Sequence, residues 1–394
     1  MSDMSKSQIY LNAMSAANAL GRNWQEVSRG LFAGDRSGLE SQETLNDGRS
    51  VPVGRLNFDL DCLEPQFADW DSRNNRLVRQ CLTPLTEAID AAKEKYGSSR
   101  VGVVIGTSTS GTSQTEARLP EWILAGGPPP GFDFRRQELG DAAEFVAAVT
   151  GVFGPCFSVS TACTSGARAL ASAARLLHAG LCDAVIAGGV DTLCGLTLNG
   201  FSVLDSIAGE RCNPFSKHRT GINIGEGGAL FLVTRETSEI RLAGWGESAD
   251  AHHLSAPDPE GKGARIAIEQ ALASAGIDCR DLAYLNLHGT ATRLNDAMEA
   301  KVTYDLFGDT LPCSSTKSLT GHMLGAAGSN EAAFAIMALQ QGILPPHIWD
   351  GERDPALAPV CLADDIGLGI RGNYAMSCSY AFGGNNAALI LARE

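Results

Sequence analysis

The chain has 394 residues, 44% of them apolar and only 19% charged, which at roughly 100 to 200 residues per domain provides for two or three structural units with sizeable cores and excludes a disordered polymer. A net charge of −14 repels a phosphate backbone, so nonspecific nucleic-acid binding is disfavoured. The first ten residues, MSDMSKSQIY, hold no charged start leading into an apolar stretch, and the longest apolar runs reach about half of the ~18 residues that span a bilayer; a soluble, cytoplasmic protein without a membrane span is expected.

In chain order, short apolar runs at 101–106, 157–160, 184–187, 229–233, 282–287 and 387–391 read as buried strands. Between them, 76–96, 166–179, 263–276 and 330–341 read as helices, several closed by a glycine just past the last turn. Strands alternating with helices make an α/β protein. One layout recurs: strand FSVS, a small-residue turn and helix GARALASAARLLHAG in the first half, then SSTKS, a glycine-rich turn and helix SNEAAFAIMALQQG in the second. The chain therefore divides into two similar halves, 1–238 and 239–394. The stretch AGGPPPG at 125–131 is neither regular helix nor central strand, and reads as an excursion loop. Eleven cysteines are an odd number without C-x-x-C spacing, so most are expected to be small buried hydrophobes.

Cys163, in VSTACTSGAR, stands where a strand ends and a helix begins, with Thr164 and Ser165 as capping-type residues. Free amides and the helix dipole there favour thiolate, so the thiol pKa is expected to fall; the alternative is a buried structural cysteine. His288 follows the strand LAYLNL and opens HGTATRLND, which presents the hydroxyls of Thr290 and Thr292. His322 lies in TKSLTGHMLGAAGSNEA, five residues after Lys317 and nine before Glu331. A lone histidine is more often a satisfied core group. Two on comparable loops, with a cysteine on the equivalent earlier loop, form a Cys-His-His constellation; a metal would need a third ligand, none is found, and acyl chemistry is favoured over metal. In SYAFGGNNA, Phe382 and Gly383 sit on a loop that can move and whose amides can reach a reacting carbonyl, although taken alone it is a turn. Arg73, Arg76 and Arg79 recur every three residues at a helix start and share one face, either solvated or a dock for an acidic partner.

The motifs TACTSG, HGTATRLND, KSLTGH with GAAGSNEA, and AFGGNN, in that order, resemble those of elongating β-ketoacyl-[acyl-carrier-protein] synthases, type II ketosynthases of the thiolase superfamily. The likeness runs from NALGRNWQEVSRGLFAGDRSGL through AGGVDT and CNPFSKHRTGINIGEGGALF to the last strand. It implies a five-layered αβαβα fold, usually as a homodimer or as a heterodimer with a ketosynthase-like subunit, and an acyl carrier protein as partner. It implies no cofactor, the substrates carrying phosphopantetheine on the carrier. It further implies Cys163 as the acyl-accepting nucleophile, His288 and His322 as the pair assisting malonyl decarboxylation, and Lys317 and Glu331 as supporting charges. Thr290 and Thr292 resemble the pantetheine-binding threonines and Phe382 the gating phenylalanine, while the amides of Cys163 and Phe382 match the oxyanion hole. Thr109 aligns with a bulky residue that closes the acyl pocket in many fatty-acid enzymes, and the family docks its carrier on basic residues near Arg73, Arg76 and Arg79.

Departures are Ala291 in place of a common glycine, Ser216 and Thr220 at frequent aspartate positions, and Cys378 at a usually polar one. Thr109, the stretch FDFRRQELGDAA, the SRNN helix start and the CNPFS-x-x-R-x-GINIGEG block resemble ketosynthases of specialised aryl-polyene or polyketide pathways more than housekeeping enzymes. The competing readings are a chain-length-factor type partner subunit, against which Cys163 argues, and a degradative thiolase, whose second catalytic cysteine Cys378 lies too early to supply.

Overall fold

The computed structural model describes residues 8–394. Its strands are β1 (Tyr10–Asn18), β2 (Gln42–Thr44), β3 (Ser50–Pro52), β4 (Val101–Gly106), β5 (Cys156–Val159), β6 (Ala184–Asp191), β7 (Gly227–Thr234), β8 (Ile240–Ala249), β9 (Leu282–Asn286), β10 (Pro312–Ser314), β11 (Cys361–Leu362), β12 (Tyr374–Tyr380) and β13 (Asn385–Arg393). The α-helices are α1 (Trp24–Ala33), α2 (Arg73–Leu82), α3 (Thr86–Tyr96), α4 (Thr112–Ala125), α5 (Asp141–Thr150), α6 (Ser165–His178), α7 (Gly195–Val203), α8 (Lys262–Ala275), α9 (Arg293–Phe307), α10 (Lys317–Thr320) and α11 (Ala327–Gln341).

Strand order repeats. One set runs β1-β7-β6-β4-β5 and the other β8-β13-β12-β9-β10, with β11 added at its edge. Read outward from β1 or from β8, successive pairings are antiparallel, antiparallel, parallel and parallel in both sets. The sets meet at the pair Tyr10 and Arg241.

Side-chain alternation along the strands explains the layering. In β7, Ala229, Phe231 and Val233 enter the central core with α6 and α11, whereas Leu230 and Leu232 enter a second core with α2, α3 and α5. In β13, Ala387, Leu389 and Leu391 face the centre, and Ala388, Ile390 and Ala392 face α8 and α9. Strands covered on both faces carry no polar alternation, which is why their sequences are continuous apolar runs. The result is the thiolase-like five-layered αβαβα fold, with α6 and α11 in the middle layer. These two helices approach closely because glycine lines their contact: a Cβ on Gly328 would lie 2.8 Å from the Cβ of Ala167. Their N-terminal ends are thereby brought together, and that is where the site forms.

Three sequence readings change. The helix read at 76–96 is two, α2 and α3, separated by a 3₁₀ turn at Thr83–Leu85 that contains Pro84, because proline lacks the N–H an unbroken helix needs. The run read as a buried strand near 157 is β5, an edge strand with Cys156 and Phe157 exposed. β1, β8 and β12 went unread, their apolar pattern diluted by Gly244 and Gly246 or by serines and cysteine. The loop expected at 125–131 follows α4 directly, after Gly126 closes the helix at φ +65°. All eleven cysteines are free, and seven of them are buried. Among the described residues no helix is long and apolar enough to cross a membrane.

Candidate active site

Cys163 stands on the turn from β5 into α6. Ala162, just before it, takes a left-handed φ of +53°, and the hydroxyls of Thr164 and Ser165 bend back to the carbonyls of Thr161 (2.8 Å) and Ala162 (2.6 Å). These two residues thus tighten the turn instead of capping α6. The amides of Cys163 and Phe382 lie beside the Cys163 sulfur, where they can serve the oxygen of an acyl group carried there. The expected fall in thiol pKa is overturned. Complete burial pushes Cys163 up to about 12, against the pull of Lys317 and the two amides, because removing a thiolate from water costs more than the helix end returns.

His322 Nε2 lies 3.0 Å from Cys163 Sγ, and His322 Nδ1 accepts from the Leu324 amide at 3.1 Å. An N–H that already occupies Nδ1 assigns the ring proton to Nε2. His288 stands past the end of β9, its ring 5.3 Å from that of His322 and nearly perpendicular to it. Lys317 Nζ donates to the His288 carbonyl (2.5 Å) and lies 3.3 Å from His288 Nδ1, so this ring also carries its proton on Nε2. Burial and the Lys317 charge hold both imidazoles well below the usual histidine pKa, and they are neutral at pH 7. Lys317 is paired with Glu331, both fully buried; burial raises Glu331 to about 7 while Lys317 pulls it down. Sulfur and the two histidines place one donor atom each within 4.8 Å of one another, so the Cys-His-His constellation expected from the sequence does assemble. Yet His322 Nε2 presents an N–H group rather than a lone pair to the shared space, an arrangement suited to an oxyanion, while the Tyr380 carbonyl is also within reach of the His288 ring.

The three side chains line a cavity of about 260 Å³ together with Thr290, Thr292 and Phe382. The two threonine hydroxyls are 2.9 Å apart, and the Phe382 ring meets Phe201 at 5.4 Å. Phe382 and Gly383 occupy the tight β12–β13 connection, where Gly383 at φ +85° donates its amide to Leu254, and Gly383 is not part of the cavity lining. Thr109 is not in the cavity either. It is buried with its hydroxyl on the Asp191 carboxylate at 2.9 Å. Cys378 is packed into the outer core of the second half, away from the cavity. Ala291 has φ +62°, which accounts for the glycine common at that position and costs this chain roughly 1–2 kcal/mol.

The basic face of α2 is already neutralised. Arg73 makes a bidentate pair with the fully buried Glu226 (2.9 and 2.5 Å), Arg76 pairs with Asp71, and Arg79 with Glu64. All three arginines lie on α2, but the 45 acidic residues of the chain supply local partners that spacing alone does not reveal. Lys217, His218 and Arg219 are likewise paired, with Glu352, Asp350 and Asp354. Sequence reasoning also missed Glu299, whose buried carboxylate accepts the amides of His288 (2.6 Å) and Gly289 (2.7 Å) and fixes that loop. Its place in HGTATRLNDAMEA, eleven residues after His288 on α9, was the available signal.

Residues 7–238 match the family described as Beta-ketoacyl synthase, N-terminal domain, and residues 240–349 its C-terminal domain. The chain belongs to the β-ketoacyl synthase family. It is 32% identical to the 3-oxoacyl-[acyl-carrier-protein] synthase 2 of Staphylococcus aureus (strain COL) over 97% of each chain, and 34% identical to nodulation protein E of Rhizobium meliloti over 74% of this chain and 75% of that one. It superposes on a chain of the ketosynthase (ApeO) in complex with its chain length factor (ApeC) from Xenorhabdus doucetiae with a TM-score of 0.94 and 40% identity, covering 98% of both. The activity of this synthase is the joining of an acyl group to malonyl-carrier with loss of CO2, in a type II system.

Proposed function

We propose that Cys163 carries the acyl group and that His288 and His322 stabilise the enolate. The observation carrying this reading is the 3.0 Å approach of His322 Nε2 to Cys163 Sγ, with His288 beside it in one cavity. In the first half-reaction the sulfur attacks an acyl-carrier thioester, the new C–S bond replaces the old one, and the thiol proton leaves with the carrier's sulfur; the amides of Cys163 and Phe382 hold the oxyanion. In the second, malonyl-carrier loses CO2, and the electrons of the broken C–C bond become an enolate whose oxygen receives both Nε2–H groups. The enolate carbon then attacks the Cys163 thioester. The released thiolate takes up a proton, as its raised pKa favours. Thr290 and Thr292 bind the pantetheine arm, Phe382 gates the cavity, and Lys317 with Glu331 fixes His288. The half at 1–238 supplies the nucleophile and the half at 239–394 the histidines. No resident cofactor is required, because the carrier brings phosphopantetheine.

The pathway is a specialised one of aryl-polyene or polyketide type, supported by the 40% identity to the ApeO–ApeC complex against 32% to the 3-oxoacyl synthase. The cellular setting is the cytoplasm. A second ketosynthase-like chain, identical or not, covers the open edge of β5, around which Phe153 and Phe157 are exposed, and the apolar side chains of Ile123 and Leu124 on α4 and Val203 on α7. An acidic carrier docks on α2 by exchanging Asp71 and Glu64 for its own carboxylates at Arg76 and Arg79; Arg73, as exposed as the other two, stays bound to the buried Glu226. The test of the reading is incubation with acyl-carrier and malonyl-carrier of defined chain length: β-ketoacyl-carrier and CO2 should form in equal amounts, and failure to form the condensed product after Cys163 has been acylated would refute it.

A further inference from the structure

The block AGGVDT holds a carboxylate, Asp191, that the two half-reactions leave without a task. Asp191 closes β6 and is fully buried. Its Oδ1 accepts from the hydroxyls of Thr107 (2.6 Å) and Thr109 (2.9 Å) and from the amides of Ser108 and Thr109 (both 2.9 Å), all on the loop after β4. Its Oδ2 accepts from the Gly325 amide at 2.6 Å, a residue of the other half of the molecule. Burial pushes this carboxyl up, and the donors pull it back toward ionisation.

The turn that receives this contact begins at His322. Leu324 is left-handed at φ +48° and gives its N–H to His322 Nδ1, while the next amide, that of Gly325, goes to Asp191. A Cβ on Gly325 would lie 2.6 Å from Asp191 Oδ2 and 2.7 Å from Ser108 Oγ, so the turn is seated on the carboxylate without slack. On its other side the Gly325 carbonyl abuts Gly166, in the first turn of α6 behind Cys163; a Cβ there would lie 3.0 Å from that oxygen. One glycine therefore touches the carboxylate, the helix of the nucleophile and the loop of the histidine.

We propose that Asp191 is a positioning residue for the condensation. Through the Gly325 amide it fixes the turn 323–326 so that the Leu324 N–H occupies His322 Nδ1 and keeps the ring proton on Nε2, facing Cys163. This rests on the reading of His322 as an enolate donor. A carboxylate is needed because both of its oxygens face N–H donors; an asparagine there would turn its own NH2 against one of them in either orientation.

Asp191→Asn is tested for acyl loading of Cys163, for CO2 release from malonyl-carrier, and by ¹⁵N NMR of histidine-labelled protein for the His322 tautomer. Expected are loading within about two-fold of native, CO2 release lower by about 10- to 100-fold, as for a group displaced by a fraction of an ångström, and loss of the pure Nε2–H signature. Equal losses in both half-reactions, no loss in either, or an unchanged tautomer would overturn the proposal. Should that variant not fold, Gly325→Ala asks the same question from the other side. Gly325 has no left-handed φ, so alanine adds no backbone strain, yet its Cβ forces the turn off the carboxylate, and the same split is expected. His322→Ala run alongside separates the two readings: native CO2 release in that variant removes the donor role itself, whereas its loss together with native release in both Asp191→Asn and Gly325→Ala removes only Asp191.

Discussion

Among eleven cysteines, only Cys163 combines a helix start, two amides on its sulfur and a cavity. Peptide mapping after brief exposure to acyl-carrier should find the acyl group on Cys163 alone, and Cys163→Ala should abolish condensation with little loss of stability; adducts on Cys156, Cys182 or Cys378 would contradict the assignment. The position of Cys163 at a strand end was legible in the sequence, and its raised pKa was not, since burial depends on what the second half of the chain lays over it. His347 shows the same blindness. Its Nδ1 accepts from Ser315 and its Nε2 faces the Pro214 carbonyl, and burial lowers its pKa from 6.5 to about 4. A depressed folded-state value means that the unfolded chain binds the proton first, so the stabilisation is present above pH 6.5 and is lost as pH falls toward 4. The stability advantage of the native chain over His347→Asn should therefore shrink by roughly 3 kcal/mol across that window, as measured by denaturant melts at each pH. A pH-independent difference would show that the imidazole titrates alike in both states.

At the scale of elements, strands buried on both faces were readable because a continuous apolar run needs no partner to be recognised, as in β4, β6 and β7. Edges and pairings were less so. β5 has the composition of a buried strand but ends the sheet, and β8 hides its alternation behind Gly244 and Gly246, which admit the backbone of α8. α2 displayed three arginines whose carboxylate partners all lie outside the helix, Asp71 just before it and Glu64 and Glu226 farther away in the chain, so a patch read from spacing proved to be three ion pairs. Exposed pairs of this kind are worth little, about 0–1 kcal/mol, and exchange readily. Arg76→Glu with Arg79→Glu should raise the apparent KM for carrier-bound substrate by about ten-fold, with no change for a small thioester, and the native advantage should decline with salt. Equal effects on both substrates would remove α2 from docking. Arg73→Glu is not a docking test, because it strands the buried Glu226.

For the whole molecule, the repeat of strand order places the start of α6 against the turn before α11, and Cys163 from one half meets His288 and His322 from the other. That juxtaposition was foreseeable from matching loops; the tautomers, the Lys317 bridge and the Asp191 contact depend on how the two halves pack. In the proposed assembly a second ketosynthase-like chain covers the open β5 edge. Phe157→Asp with Val203→Asp should halve the mass seen by light scattering, while an unchanged mass would place the interface elsewhere. The central claim, that donors from the second half act only after the first half has been acylated, is tested most directly by measuring the two half-reactions separately in His288→Ala and His322→Ala. Acyl loading of Cys163 should stay near native, and CO2 release from malonyl-carrier should fall by about 10²- to 10³-fold in each; release at the native rate in both variants would contradict the account.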